Sequence, residues 1–462
     1  MNNKEYVGRV DYVVDGQYSV RVIYTPKNGV DSGSLVTELS SGIITEAWGD
    51  ATVSSDNKKV THNLTNSPES VSANGFSITT ASIEESEIVS ATFEGSPVEV
   101  VFHVSPVAYH GALRLGRKEE NENPYMIYNQ RDEQVQLSGL SYFWSGFSRT
   151  GGDLTDYWQS GVCSKLANEL DTPIVRAAIS ADASDPDGYY NKPDENLEQL
   201  ALIVEEAKEL GQYVIVDFHS HDADVNISDA IEFFTKVSEA CSLYQHVIYE
   251  IFNEPTENHI WDQVKDYAEQ IIPVIRDNAS EALIIVGTPT YCQDLGAVIG
   301  NEISSSLSKN VMYSLHYYGT CGYDVGGTYL CHDYLRDSLD YWCSKLPIFI
   351  SEYGHSDPLG GGSGSQDPEI NFENNTKWYN LVDSLGLSAC HWSICDKDEL
   401  ASMLKRGTST EVNWNDDDVL TQSGIIIRNR LMERKGYSKP SESVVSIGDS
   451  SLNKVAETPE LA

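Results

Sequence analysis

Two glutamates that lie far apart in the chain each come at the end of an apolar stretch. Glu254 closes residues 246–255, HVIYEIFNEP, and Glu352 lies near the end of residues 347–354, PIFISEYG. Apolar, β-branched and aromatic runs of this kind predict strands that are buried on both faces, as in a parallel sheet. Catalytic groups occupy the carboxyl ends of such strands in a closed barrel. The pair therefore suggests acid and base roles divided between two carboxylates.

A single glutamate at a strand end has a simpler explanation. It is more often a helix cap, an ion-pair partner or a solvated loop residue than a reactive group. Here the run before Glu254 contains no other charge except Glu250, and the run before Glu352 contains none. Both carboxylates therefore emerge directly from core strands, and this context favours a functional interpretation.

The elements that must position these glutamates are repeated strand, loop and helix units. Eight apolar strand candidates occur at residues 135–144, 173–179, 213–219, 246–255, 282–289, 311–319, 347–354 and 387–394. Amphipathic helical patterns separate most of them, such as residues 196–210, which end at Gly211, a C-cap position. Eight such units predict an α/β fold, a closed (β/α)8 TIM barrel, over residues 106–435.

The flanking regions have different patterns. Residues 1–105 contain short alternating segments separated by turn residues, which predict a small all-β sandwich domain. These segments are residues 18–25, 58–65, 75–83, 87–93 and 97–104. Residues 436–462 are rich in Ser and Glu and predict a disordered tail or linker.

The charge and the chain start limit the classes of partner and location. The 462 residues carry 70 Asp and Glu against 31 Lys and Arg, a net charge of −39. This excess argues against binding of nucleic acid or an anionic membrane. No apolar run approaches the ~20 residues that span a bilayer, and residues 1–4 lead into polar sequence without a signal peptide. We expect a secreted protein whose leader has been removed; a cytosolic protein is the alternative.

The eight cysteines permit up to four disulfides. Cys321 and Cys331 bracket a stretch rich in Gly and Tyr and could close one loop, while Cys390 and Cys395 could each pair elsewhere. Buried free thiols are an equally good interpretation. The sequence leaves both open.

The ends of the predicted barrel strands carry aromatic and hydrogen-bonding side chains. They are Trp144, Arg176, His219, Asn253 with Glu254, His316 with Tyr318, Glu352 and Trp392. The set contains neither a Ser-His-Asp nucleophile arrangement nor a Lys base, and no GxGxxG follows the first barrel strand. Acid–base chemistry between carboxylates remains the best interpretation.

These motifs give a family resemblance. Through VRAAI, VIVDFH, YEIFNEP, SLHYYG, FISEYG and HWSICDK, residues 106–435 resemble the family-five glycoside hydrolases, in particular bacterial-type endo-β-1,4-glucanases (cellulases). The segment ITEAWGD weakly resembles part of the cellulose-binding β-sandwich modules attached to many cellulases. Trp48 is the only Trp of the first domain, so carbohydrate binding and a packing or spacer role both stay open.

The resemblance implies roles for the two glutamates. Glu254 matches the acid/base and Glu352 matches the nucleophile of a retaining enzyme, with carboxyl groups about 5 to 5.5 Å apart. We expect the charge of Glu352 to keep the proton on Glu254 in the free enzyme. The mechanism that the resemblance implies needs no metal and no organic cofactor.

Three neighbours match groups that serve the nucleophile or the sugar. Arg176 matches a guanidinium that keeps the nucleophile ionised, although a structural ion pair in the barrel would also explain it. Tyr318 matches a hydroxyl that donates to the same carboxylate. Asn253 matches the residue that binds the sugar 2-hydroxyl.

Five further residues match substrate contacts of the family. His219 and His316 match histidines that contact the sugar or orient a glutamate, and Trp392 matches the platform under the reacting sugar. Trp144 and Lys397 match more distant glucose contacts, although aromatic residues at strand ends are more often core and lysines more often solvated.

The sequence also departs from the family pattern. Phe218 stands where many members have Trp, and His391 stands where many have a small or aromatic residue. The expected partner is a β-glucan polysaccharide or cello-oligosaccharide, bound by a monomer. The alternatives are a related β-glycanase acting on mannan, xylan or mixed-linkage glucan, and a non-catalytic glycan-binding protein.

Overall fold

The structure is a computed structural model. It describes residues 4–14, 17–26, 33–39, 42–64, 75–80, 88–97, 105–117, 125–146, 154–319, 322–323, 329–330, 332–356 and 370–433. These residues divide into two compact units, one within Met1–Ala108 and the other within Tyr109–Ser438. The tail expected at residues 436–462 lies outside the described part of the chain, and the domain boundaries inferred from the sequence stay predictions.

The first unit consists of two antiparallel sheets. Its strands are β1 (Lys4–Val14), β2 (Gln17–Pro26), β3 (Gly33–Leu39), β4 (Ile43–Trp48), β5 (Ala51–Val53), β6 (Lys59–Leu64), β7 (Gly75–Thr80), β8 (Ile88–Phe93) and β9 (Ser96–Pro97). One sheet has the order β1-β2-β7-β4 and the other β5-β6-β3-β8-β9.

The two sheets meet through their inward side chains. The buried residues Leu35 and Val60 come from one sheet and Phe76 and Ile78 from the other. Nε2 of His62 lies 3.0 Å from the carbonyl oxygen of Gly75 and bridges the sheets. The sandwich inferred from the sequence is therefore confirmed, although strand formation at residues 98–104 lies outside the described residues.

The second unit is built on a closed barrel of eight parallel strands. They are β13 (Ser138–Tyr142), β14 (Ile174–Ser180), β15 (Tyr213–His219), β16 (Val247–Glu250), β17 (Ile284–Val286), β18 (Val311–Tyr318), β21 (Ile348–Gly354) and β22 (Ala389–Ile394). All eight candidates from the sequence lie in this barrel, so the TIM barrel is confirmed. Small sheets accompany it: β10 (Arg114–Gly116), β11 (Met126–Tyr128) and β12 (Gln134–Val135), and the hairpin β19 (Gly322–Tyr323) with β20 (Tyr329–Leu330).

Helices alternate with the barrel strands. They are α1 (Pro106–His110), α2 (Val162–Glu169), α3 (Pro193–Leu210), α4 (Ile227–Ala240), α5 (Trp261–Arg276), α6 (Pro289–Cys292), α7 (Asp333–Cys343), α8 (Phe372–Ser384) and α9 (Gln422–Glu433). The third helix begins three residues before its expected start because Pro193 suits a first helical turn. It ends, as expected, at Gly211 with a left-handed φ of 65°. No helix in the described ranges is long and apolar enough to cross a membrane.

Alternation along the barrel strands separates two environments. On β15, Phe218 packs outward against Phe233 of α4, with ring centroids 5.1 Å apart. Its neighbours on either side, Asp217 and His219, are buried polar residues that contact each other inside the barrel. Because side chains alternate across a strand, the same backbone supplies an apolar shell outside and polar groups inside.

The cysteines that the structure describes are buried free thiols. They are Cys163, Cys241, Cys292, Cys343, Cys390 and Cys395. The pairing considered for Cys390 and Cys395 is therefore wrong. Both side chains lie within the packed barrel, where Cys395 Sγ has Ser402 Oγ as a neighbour at 3.1 Å. The possible bond between Cys321 and Cys331 falls outside the described residues.

Candidate active site

Arg176 lies at the centre of the polar barrel interior. It projects from β14 and is fully buried. Its Nε donates to Glu250 at 2.7 Å, its Nη1 to Glu352 at 3.0 Å, and its Nη2 lies 2.9 Å from Asp217. Nη2 also donates to Oδ1 of Asn253 at 2.6 Å. One guanidinium thus holds side chains from four other positions in fixed orientations.

Burial and mutual attraction act together on this network. Burial lowers the pKa of Arg176, but the three carboxylates outweigh it and raise that pKa well above its ordinary value. Burial likewise raises the pKa of Glu250, and the charge of Arg176 outweighs it and lowers the pKa to about 2. At Asp217 burial prevails, so the pKa of that carboxyl is raised. The site therefore keeps Arg176 and Glu250 charged at neutral pH.

Glu352 is fixed by two donors. It belongs to β21 and is buried, and its Oε2 accepts from Arg176. Its Oε1 accepts from the Tyr318 hydroxyl of β18 at 2.6 Å. Both donors hold the carboxyl group in a fixed orientation, as a nucleophile at this position requires. The structure therefore brings together Arg176, Tyr318 and Glu352 in the arrangement inferred from the sequence.

Glu254 lies beyond its strand. The ladder of β16 ends at Glu250, and Glu254 follows in the loop before α5. The backbone N–H of Glu254 donates to the carbonyl of Ser220 at 3.2 Å, which ties this loop to the end of β15. The side chain is only 16% exposed. It faces Nδ1 of His316 at 2.8 Å and Nε2 of His221 at 3.3 Å.

The two glutamates face one another. A carboxylate oxygen of Glu254, one of Glu352 and a ring nitrogen of His316 all lie within 4.8 Å of each other. Glycosidases that retain stereochemistry place their two carboxyl groups at about 5 to 5.5 Å, whereas inverting enzymes need roughly 6.5 to 9.5 Å. The short separation fits a direct attack on a sugar carbon by one carboxylate.

The ionisation of Glu254 differs from the sequence expectation. Burial raises the pKa of Glu254, but hydrogen bonds from His221 and His316 outweigh it, so the pKa lies below its ordinary value. Burial lowers the pKa of His316, but Cys292 and the carboxylates of Glu352, Glu250 and Glu254 outweigh it and raise that pKa well above its ordinary value. These shifts favour the proton on the imidazoles of His221 and His316 over the carboxylate of Glu254. The expectation that the charge of Glu352 keeps the proton on Glu254 is contradicted by the lowered pKa, because that expectation did not include these two histidines.

Asn253 offers one free donor to the site. Its Oδ1 accepts from Arg176, and its carbonyl oxygen accepts from Cys292 Sγ at 3.0 Å. Its Nδ2 is buried and has no hydrogen-bond partner within the described part of the chain. A buried donor without a partner is costly unless a ligand satisfies it. This amide fits the expected contact with a sugar hydroxyl.

An aromatic cluster lines one side of the site. Trp392 and His219 stack with centroids 5.3 Å apart and planes 5° from parallel, and Trp144 lies 5.7 Å from His219. His219 is oriented by Asp217, whose Oδ2 lies 2.8 Å from Nδ1. Lys397 lies at the edge of this cluster, with Nζ 5.3 Å from the Phe143 ring centroid and 2.7 Å from Glu399. Trp392 and His219 are themselves buried, with 3% and 5% of their surface exposed.

Sequence reasoning missed several residues of the site. Asp217 and Glu250 pair with Arg176, and His221 contacts Glu254. The first two had a signal, since a charge inside an apolar strand must be paired when buried. His221 lies in a loop and had no comparable signal.

The two departures from the family pattern lie away from the carboxylates. Phe218 packs outside the barrel, as described above. His391 is buried with Nε2 3.2 Å from Nδ1 of His355 and 3.1 Å from Oγ of Ser423. Neither residue contacts Glu254 or Glu352 in the described hydrogen-bond network.

Comparison with known proteins bears on this geometry. The sequence model of the cellulase family, glycosyl hydrolase family 5, matches residues 128–398. An endoglucanase of Clostridium saccharobutylicum is 34% identical over 287 residues, which cover 61% of this chain and 59% of that protein. Endoglucanase A of Butyrivibrio fibrisolvens is 32% identical over 350 residues, 74% of this chain and 73% of that protein. The chain thus spans less than two thirds of the length of the Clostridium relative.

Solved structures agree on the fold. A structure from Cytophaga hutchinsonii superposes with a TM-score of 0.61 at 30% identity, covering 71% of this chain and 97% of that one. The catalytic domain of endoglucanase Cel5A from Thermobifida fusca, solved with cellotetraose, gives 0.60 at 23% identity, with 71% and 99% covered. By the match of its barrel sequence and by its relatives, the chain belongs to the cellulase family, glycosyl hydrolase family 5.

Proposed function

We propose that this protein is an endo-β-1,4-glucanase that hydrolyses internal bonds of cellulose-type β-glucan with retention of configuration. The observation that carries the proposal is the pair of carboxylate oxygens of Glu254 and Glu352 within 4.8 Å. Relatives named endoglucanases and a structural neighbour solved with cellotetraose support the substrate class.

In the first step Glu352 is the nucleophile. Arg176 and Tyr318 hold its carboxylate, which attacks the anomeric carbon as the bond to the leaving oxygen breaks. Glu254 gives a proton to that oxygen, which departs as an alcohol. The product of this step is a glycosyl ester on Glu352.

In the second step Glu254 is a general base. It takes a proton from a water molecule while the water oxygen bonds to the anomeric carbon and the ester bond to Glu352 breaks. Nδ2 of Asn253 donates to the sugar 2-hydroxyl, and Trp392 carries the apolar face of the reacting sugar. His219, Trp144 and Lys397 contact glucose units at and beyond it.

The polymeric nature of the substrate also determines where the enzyme acts. A β-glucan chain does not cross a membrane, so the enzyme acts outside the cell, as a secreted monomer. The mechanism proceeds with side chains alone, without metal or organic cofactor. A sandwich unit on such an enzyme could bind the same polymer or serve as a spacer.

The proposal is tested with Glu254→Gln and Glu352→Gln. Each change keeps the side-chain shape and removes the ionisable group, so we expect hydrolysis of carboxymethyl-cellulose to fall by at least about 1,000-fold. Glu281→Gln is the control, because this residue is 68% exposed and pairs with Lys309 on the surface. Full activity in either active-site variant would exclude the assignment.

A substrate panel separates this proposal from its neighbours. Cellulose-type glucan, mannan, xylan and mixed-linkage glucan are offered to the wild type, and the highest kcat/KM is expected on β-1,4-glucan. A preference for mannan or xylan would be compatible with the proposed mechanism but would contradict the proposed substrate. Binding of cello-oligosaccharides without hydrolysis of any polymer would instead identify a non-catalytic glycan-binding protein.

A further inference from the structure

His221 contacts Glu254 but has no role in the mechanism above. It follows β15, two residues after His219, and 36% of its side chain is exposed. Its Nε2 lies 3.3 Å from Oε2 of Glu254. The other carboxylate oxygen of Glu254 is taken by His316. The two histidines therefore approach different oxygens of the same acid.

Asp182 fixes the orientation of this imidazole. Oδ2 of Asp182 lies 3.0 Å from Nδ1 of His221, and Oδ1 accepts from the backbone N–H of His221 at 2.9 Å. The Ser220 hydroxyl donates to the same Oδ1 at 3.1 Å. A carboxylate on Nδ1 keeps a proton on that nitrogen, so Nε2 is the position that exchanges its proton with Glu254.

We propose that His221 is a positioning residue that stores the catalytic proton of Glu254 and thereby keeps the general acid loaded at alkaline pH. The inference rests on the proposed function, because it concerns the acid step of that reaction. Storage of the proton depends on two features of the structure, the Asp182–His221–Glu254 chain of hydrogen bonds and the burial of Glu254.

One proton on the His221–Glu254 pair can be followed through both steps of the reaction. In the resting enzyme one proton is shared between Nε2 of His221 and Oε2 of Glu254. When the glycosidic bond breaks, Glu254 gives that proton to the leaving oxygen, and His221 and Glu254 remain neutral and anionic, respectively. When water attacks the glycosyl ester, Glu254 takes a proton from it, and the shared proton is restored.

The electrostatics of the pair agree with this assignment. Burial lowers the pKa of His221, but its hydrogen bonds to Asp182 and Glu254 outweigh burial and raise the pKa to about 10. The shared proton therefore stays on the pair well above the pH at which an ordinary carboxyl has lost its own. The other titratable groups around Glu254 are His316, Glu352, His332, Tyr291 and Cys292. On the other side of the pair, His219 acts on Asp182, and its ring centroid lies 6.5 Å from that of His221.

The test compares His221→Gln with the wild type over pH 4 to 10. Glutamine keeps a donor toward Glu254 but cannot store a proton. On cellotetraose we expect the alkaline limb, the fall of kcat/KM at high pH, to occur at a pH lower by at least about one unit in the variant. At pH 4 to 5, where protons from solvent are most available to Glu254, kcat/KM of the variant should come within about threefold of the wild type.

A second substrate isolates the acid step. The leaving group of 2,4-dinitrophenyl β-cellobioside departs without protonation, so kcat/KM for it should show no shift of the alkaline limb in the variant. Asp182→Asn should move the cellotetraose limb in the same direction. His259→Gln is the matched control: His259 lies in the same loop as Glu254, and its Nε2 pairs with Asp224 at 3.2 Å, so this variant loses an imidazole–carboxylate pair of the loop other than the one at Glu254 and should not move the alkaline limb.

The outcomes distinguish the inference from its alternatives. A rate loss that is equal at every pH would mean that His221 has a structural role. An equal shift of the alkaline limb on both substrates would mean that the variant affects another group. Either result overturns the proposal. Histidine NMR of the free protein provides a readout without turnover, and the His221 signal is assigned by its loss in His221→Gln. The pKa of His221 should be above 6.5 in the wild type and lower in Asp182→Asn. If the wild type hydrolyses neither substrate, the proposed function fails, and the NMR titration still decides whether His221 stores a proton.

Discussion

At the scale of single residues, Arg176 shows how the barrel interior tolerates charge. Three carboxylates surround it within 3.0 Å, and both the guanidinium and its partners Asp217 and Glu250 are completely buried. Such a cluster is stable only while every charge has a partner, because an isolated buried ion is strongly unfavourable. The same contacts orient Glu352 and Asn253, so stability and reactivity depend on one side chain.

Replacing Arg176 should therefore affect both properties. In Arg176→Gln, three buried carboxylates lose their cation, and the free energy of unfolding should fall by about 3 to 5 kcal/mol. Hydrolysis of an aryl cellobioside should fall at least about 100-fold, since Glu352 loses a donor. Denaturant unfolding and kinetics measure the two effects.

The comparison variant is Lys309→Gln. Lys309 is 65% exposed and pairs with Glu281 at the surface, where an ion pair contributes little. A variant of Arg176 as stable as that control would show that the buried network contributes no net stability.

At the scale of elements, the critical contact is between β17 and the loop that carries Glu254. Gly287 directly follows β17 and faces the loop before α5. A Cβ atom at Gly287 would lie 2.2 Å from the carbonyl oxygen of Phe252 and 2.8 Å from Cδ of Pro255. Because Glu254 is outside the strand ladder, this close approach is one of the contacts that hold it in place.

Gly287→Ala should displace this loop. The added methyl group meets backbone and a proline ring, neither of which can rotate away, so Glu254 must move. Because misplacement of a catalytic group by about 1 Å can reduce a rate 100-fold, we expect activity on carboxymethyl-cellulose to fall at least about tenfold. Gly296→Ala is the control, since its Cβ would meet atoms only at 3.4 Å or more. Equal activity of the two variants would contradict this account of the loop.

At the scale of the whole molecule, charge dominates. With 70 acidic side chains against 31 Lys and Arg, the net charge is −39. The excess negative charges repel one another, and this repulsion disfavours the compact state. The buried network at Arg176 is shielded from solvent ions, whereas the surface charges are not.

Added salt should therefore stabilise the protein. Screening shortens the Debye length from about 30 Å at 0.01 M to about 10 Å at 0.1 M, so Tm should rise between 0.02 and 0.3 M NaCl. Differential scanning calorimetry measures the shift, with an equal osmolality of sucrose as the control. A constant or falling Tm over this range would show that self-repulsion does not limit stability.

The sequence by itself determined the barrel strands and the two glutamates. Strands covered on both faces must be apolar at every position, so each appears as a continuous run whose end is visible, as at residues 347–354. Much of the site follows from the same pattern, because residues at the ends of parallel strands gather at one edge of a barrel. Arg176, His316 and Tyr318 were found in this way together with Glu254 and Glu352.

Only the tertiary structure decided how these groups are charged and what holds them. Arg176 meets Glu250, Asn253 and Glu352 across separations of 74, 77 and 176 residues, and His221 meets Glu254 from a different loop. The pKa of an acid depends on which dipoles and charges surround it in space, and no local pattern encodes that set. For this reason the sequence did not show that His221 and His316 lower the pKa of Glu254.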